Sequence, residues 1–130
     1  MGSIFSFKKL ARSFGYAFNG LGRAIRSEQN IKVHIIAALG AIIGGFVLRI
    51  STIEFIAVLI CIGLVIAFEI FNTAVEKLCD FVSVERHAQI KVIKDLSAGA
   101  VLVMAIISFI TGLVIFLPKI YSCFRQTFLV

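Results

Sequence analysis

The chain has 130 residues, of which 60% are hydrophobic and 15% charged, and its formal net charge is +6. So few charges cannot cover a soluble domain of this size, which excludes a water-soluble globular protein and predicts an integral membrane one. The basic residues are dispersed and build no recognition module, so nucleic acid is not an expected partner; beside three spans the length leaves room for one unit only.

Phe7, Leu10, Phe14, Phe18, Leu21 and Ile25 recur at helical spacing, with Lys8, Lys9, Arg12, Asn19, Arg23 and Arg26 on other faces. This predicts an amphipathic helix lying on the membrane over about residues 4–27. A cleavable signal peptide fits badly, because residues 1–30 hold no continuous apolar run. Spans are then expected over about residues 31–48, 53–71 and 96–117, each near the roughly 20 residues that cross the hydrocarbon core. The first is short, and Lys32 and Arg49 at its ends are placed to snorkel to the two interfaces. Gly40, Gly44 and Gly45 read as packing residues. The tail after Pro118 is too short and mixed for a fourth span. The expected fold is therefore an all-α membrane protein, a surface helix plus three transmembrane helices in a single domain over residues 1–130. Cys61, Cys79 and Cys123 match neither a metal motif nor a disulfide framework and read as small hydrophobes.

Six basic residues (Lys8, Lys9, Arg12, Arg23, Arg26 and Lys32) lie before the first span or at its entry and four (Lys77, Arg86, Lys91, Lys94) lie between the second and third, against Arg49 alone in the first link. The positive-inside bias puts the amino terminus and the second link in the cytoplasm. The basic face meets anionic lipid head groups there.

At that end, Glu69, Asn72, Glu76 and Asp80 are spaced three, four and four residues apart, which lines them along one stripe of a helix. Ionisable groups at membrane depth are costly, so an acidic stripe entering the bilayer points to a site that handles cations or protons. Three spans cannot enclose a polar chamber, so a lone subunit is expected to expose the stripe to lipid and to need a partner helix over it. Across a tight hairpin, Lys94 and Asp95 come near Glu76, and Ser97-Ala98-Gly99-Ala100 lets another backbone approach. These are parts for phosphoryl transfer at a membrane surface. Mg²⁺ takes one or two carboxylates plus substrate phosphates and water, Lys94 suits nucleotide phosphates, and a deeper carboxylate suits the proton of a lipid hydroxyl. A Walker-type loop is absent, since GYAFNGLG lacks the Lys-Ser/Thr pair.

FEIFNTAVEKLCD followed by ERHAQIKVIKDLSAGAV resembles the signature region of the small bacterial integral-membrane lipid kinases, the prokaryotic diacylglycerol kinase family; SFGYAFNGLGRAIRSEQNIKVH resembles the same family's surface helix and first-span entry. The resemblance covers about residues 7–118. It implies a MgATP-dependent kinase for a lipid alcohol, set in the bacterial cytoplasmic membrane and working as a homotrimer with active sites shared between subunits. By the family pattern, Glu69 accepts the proton of the lipid hydroxyl, Asn72 supports the catalytic helix, and Glu28 and Glu76 hold the metal. Nucleotide contacts fall to Tyr16, Glu85, Arg86, His87, Lys94 and Asp95 beside Glu28 and Glu76, and to a basic residue in the surface helix, where Lys9 aligns best and Arg12 is close by. Ala98 takes a lipid-contacting position where some members carry Ser. SEQNIKVH resembles the Gram-positive-type branch, many of whose members phosphorylate undecaprenol rather than diacylglycerol.

Read without the family, Glu28 is a solvated interfacial carboxylate, Glu76 and Asp80 pair with Lys77 or Arg86, His87 is a loop residue, and His34 is a structural or interfacial histidine. A small oligomeric proton or cation pathway using Glu69 is the alternative function. A pore needs polar residues through to the far side, and the second span beyond Glu69 offers only Glu54 and the third only Ser108 and Thr111. A structural adaptor that binds lipid through the first helix leaves the Glu69-Asn72-Glu76 run without purpose.

Overall fold

A computed structural model describes residues 6–82 and 87–128. Over these the chain forms four helices: α1 (Phe7–Ser27), α2 (Gln29–Val47), α3 (Thr52–Val82) and α4 (Ala88–Phe128). The last three are long and apolar enough to cross a membrane. The most extensive packing is α3 against α4, then α2 against α3, while α2 barely meets α4.

α1 opens on Ser6, whose Oγ accepts from the Lys9 backbone N–H at 3.4 Å and satisfies one orphan donor of the first turn. It ends at Glu28, whose extended backbone (φ −103°, ψ 123°) separates α1 from α2 with no intervening loop. Ala24 is the buried residue of α1, and the helix meets α2 and α3. Phe7, Phe14 and Phe18 stay exposed.

The turn between α2 and α3 is specified in four residues. Ile50 N–H donates to Gly45 C=O and Arg49 N–H to Phe46 C=O, at 3.1 and 3.2 Å. This is the paired bonding of a Schellman motif. Arg49 takes the left-handed position at φ 51°, where glycine is usual. A Cβ on Gly45 would come within 3.0 Å of the Ile50 side chain and 3.2 Å of the Phe55 ring, so the side chains close over a bare backbone. Ser51 then caps α3. Its Oγ accepts from Glu54 N–H at 3.3 Å and Glu54 Oε2 accepts from Ser51 N–H at 2.6 Å, a reciprocal capping box. Arg49→Gly removes the left-handed penalty and keeps both turn bonds, so it is expected to stabilise the protein by about 1 kcal/mol. Thermal unfolding in detergent checks this, and an unchanged or lowered midpoint contradicts it.

Two helices run past their predicted spans. α3 continues eleven residues beyond Phe71 to Val82 and carries the acidic stripe out on one unbroken helix. α4 begins at Ala88 and continues through Pro118, where the sequence reading ends the third span, to Phe128. Apolar content marks where lipid ends, whereas backbone hydrogen bonding continues for as long as each turn satisfies the next. Pro118 lacks an N–H and so removes one such bond. Ser122 Oγ donates to the Pro118 carbonyl at 2.9 Å, and Lys119 Nζ meets Glu54 Oε2 at 3.5 Å, which ties this stretch to the start of α3.

Candidate active site

The other end of the bundle, remote from the α2–α3 turn, carries the stripe. Glu69 and Asn72 are buried, at 4% and 7% exposure. One chain therefore already covers the deep part of the stripe, which corrects the expectation that a lone subunit would present it to lipid. The cover comes from α2: His34 Nε2 lies 3.2 Å from Glu69 Oε1. A solitary carboxylate at this depth is unfavourable, and the imidazole supplies it with a hydrogen-bond partner. Asn72 Nδ2 donates to Glu76 Oε1 at 3.2 Å, one turn along α3, while Asn72 Oδ1 is buried with no partner among the described residues.

Glu28 reaches the same neighbourhood from the α1–α2 junction. Its Oε1 accepts from Ser27 Oγ at 2.8 Å and from Lys77 Nζ at 3.3 Å, and Lys77 follows Glu76 directly in α3. The hydrogen bond from Ser27, then that from Lys77, hold the Glu28 carboxyl below its ordinary range. A carboxylate shifted down adds stability that is present above its unfolded value and is lost as the pH falls through its folded one. In Lys77→Ala the Glu28 titration observed by carboxyl-labelled NMR is expected to move upward, and an unmoved midpoint contradicts the pairing.

Lys94 does approach the stripe from α4, but its partner is Asp80, at 2.5 Å, one turn beyond Glu76. Asp95 and Ala98 lie exposed on α4, and His87 stands exposed just before it, its carbonyl accepting from Lys91 N–H at 3.1 Å. Glu85 and Arg86 lie outside the described residues. Lys9 and Tyr16 sit fifteen and eight residues before Ala24 on α1, about 22 and 12 Å along its axis, and both are exposed. One chain thus brings together Glu28, Glu69, Asn72 and Glu76, with Lys94 beside them, and leaves Lys9 and Tyr16 apart. Among the described residues no group of three or more His, Cys, Asp and Glu is placed to hold a metal ion.

Next to this site, α2, α3 and α4 line a half-open cavity of about 540 Å³. His34 lines one end and Leu48 and Ile120 the other, with Ala38, Ala41 and Gly44 along the α2 wall. Small residues on α2 leave this space because no side chain fills it. Its polar lining is limited to His34, Cys61, Ser108 and Thr111. Thr111 Oγ1 donates to the Ile107 carbonyl, and Ser108 Oγ is buried with no partner among the described residues.

The pairing of His34 with Glu69 is the contact that the sequence did not disclose. The available signal was an ionisable side chain inside an apolar run, which calls for a polar partner on a neighbouring helix.

Fold and site together define an all-helical membrane protein with a buried carboxylate and a cluster of polar side chains at one end of its bundle. The family model for prokaryotic diacylglycerol kinase matches residues 15–116. The chain is also similar to an undecaprenol kinase of Bacillus subtilis (strain 168), with 40% identity over 109 residues, 84% of this chain and 89% of the relative. It is 32% identical to a diacylglycerol kinase of Synechocystis sp. over 111 residues (85% of this chain, 63% of the relative), and 29% identical to one of Escherichia coli (strain K12) over 105 residues (81% and 86%). The chain belongs to the prokaryotic diacylglycerol kinase family, and with it is a lipid kinase.

Proposed function

We propose that the protein transfers the γ-phosphoryl group of MgATP to the hydroxyl of a membrane lipid alcohol, with undecaprenol favoured over diacylglycerol. The observation that carries this reading is the division of the stripe: Glu69 is buried against α2, while Glu76 and Glu28 lie further out, tied to Asn72 and Lys77. A lipid hydroxyl comes from the membrane and a nucleotide from water, so the two kinds of carboxylate stand where each substrate arrives. Glu69 accepts the hydroxyl proton. Asn72 orients Glu76. Glu28 and Glu76 are the residues that would hold Mg²⁺, which takes few protein carboxylates and completes its shell with phosphates and water. The orphaned Asn72 Oδ1 next to Glu76 supports a further polar ligand at that point. Bound there, Mg²⁺ would neutralise charge on the transferring phosphoryl group. Lys94, Asp95 and His87, with Glu85 and Arg86, contact the nucleotide, and Ala98 adjoins the lipid.

Lys9 and Tyr16 complete the nucleotide site from the surface helix of a neighbouring subunit, which is why one chain leaves them apart. In this reading the sites lie between the subunits of a homotrimer. The first helix lies on the cytoplasmic surface of the bacterial inner membrane, its exposed Phe7, Phe14 and Phe18 in the interface and its basic residues among head groups. The apolar cavity beside His34 suits a linear hydrocarbon chain. The higher identity to an undecaprenol kinase supports the polyprenol. A proton pathway through Glu69 finds little support, since the cavity lining gives no continuous polar route to the far end.

The test is transfer of labelled phosphate from ATP by purified protein in mixed micelles, with diacylglycerol and undecaprenol offered separately, with and without Mg²⁺. Mg²⁺-dependent labelling of undecaprenol above diacylglycerol is the expected result. Labelling of neither lipid by folded protein overturns it.

A further inference from the structure

His34 and Glu69 are 35 positions apart in sequence and meet across two helices at 3.2 Å. In the ionised form, the form able to take a proton from a lipid hydroxyl, Glu69 accepts this bond and His34 Nε2 donates it. The bond occupies Oε1 of Glu69 and leaves Oε2. His34 is also part of the cavity wall, so the carboxylate it holds stands at that end of the apolar space.

We infer that His34 is a positioning residue for phosphoryl transfer: its ring pins Glu69 Oε1 and turns Oε2 toward the lipid hydroxyl arriving along the cavity. This rests on the reading of Glu69 as the proton acceptor. In the step itself the O–H bond of the lipid breaks and its proton goes to Glu69 Oε2. The freed electron pair on oxygen forms the bond to the γ-phosphorus, and the bond from that phosphorus to the β–γ bridging oxygen breaks, its pair leaving with ADP. His34 neither gives nor takes that proton.

Glu69 is the acidic group that faces the ring from α3. Glu76, Lys77 and Asp80 lie about 10, 12 and 16 Å further along that helix, bound to Asn72, Glu28 and Lys94. Of the charges on α4, Lys94 is at the level of Asp80 with Asp95 next to it, and Lys119 is at the opposite end with Glu54. On α2 and its entry the charges are Lys32 and Glu28, and on α1 near its seat at Ala24 they are Arg23 and Arg26.

The experiment measures kcat and KM for ATP for the unsubstituted protein, His34→Ala, His34→Gln and Glu69→Gln in the same mixed micelles, with the thermal midpoint as a folding control. His34→Ala is expected to lose about 10²-fold in kcat, the scale of a misplaced reacting group, at unchanged KM for ATP. His34→Gln keeps an N–H donor that cannot become charged. It is expected to stay within roughly tenfold of the unsubstituted rate. Should His34→Ala fail to fold, His34→Leu, which fills the space without a donor, is expected to show the same loss of kcat at unchanged KM for ATP and decides in its place. Unchanged rates in the variants without a donor, or an equal loss in these and in His34→Gln, overturn the inference while an inactive Glu69→Gln leaves the reading beneath it standing. Glu69→Gln at the unsubstituted rate overturns that reading instead.

Discussion

Glu69→Gln is expected to lower kcat by about 10²–10⁴-fold, the range for loss of a positioned general base, while KM for ATP stays near its original value. The amide oxygen of Gln still accepts the bond from His34 Nε2, so the α2–α3 contact survives. What disappears is the capacity to take a proton from the lipid hydroxyl. Glu69 is 4% exposed, so water cannot readily substitute for it. The measurement is kcat and KM in mixed micelles with the thermal midpoint alongside. A variant that is folded and as active as its parent removes Glu69 from the chemistry.

The second large effect is expected at the outer carboxylate. Glu76→Gln keeps an oxygen for Asn72 Nδ2, so the helix-internal bond at 3.2 Å is retained, and only the charge is lost. Residues that merely support a metal ligand cost roughly 10–100-fold in metal affinity when changed, and a ligand costs at least as much. The Mg²⁺ concentration for half-maximal activity is therefore expected to rise by about tenfold or more, with activity partly restored at high Mg²⁺. An unchanged metal titration contradicts the ligand role. The two variants separate the two carboxylates: excess Mg²⁺ is expected to rescue Glu76→Gln and to leave Glu69→Gln inactive.

The order of the elements could be read from the sequence because membrane spans announce themselves by apolar length, and the acidic stripe because three- and four-residue spacings fix one helical face whatever surrounds it. What sequence did not disclose depends on contacts between distant positions. His34 and Glu69 share no local pattern; only the packing of α2 on α3 pairs them. Lys94 sits where the hairpin argument places it, near the stripe, yet its partner is Asp80 and not Glu76, because register between two helices is set by side-chain fit along the whole of α3 and α4. The turn at Leu48–Ser51 is the opposite case. Ser51-Thr52-Ile53-Glu54 before an apolar run is a capping-box pattern and was open to view, whereas the left-handed backbone at Arg49 defies its residue type and carries no such mark.

That turn has a mechanical consequence. With its backbone bonds made and both helix ends capped, it is a fixed corner, and α2 is an arm that pivots on it. His34 lies fourteen residues from Leu48, about 21 Å out along the arm. At that radius a tilt of roughly one degree moves the ring by about 0.4 Å, enough to carry a 3.2 Å contact past the reach of a hydrogen bond. Any molecule that wedges the helices apart is therefore expected to break the contact between His34 and Glu69.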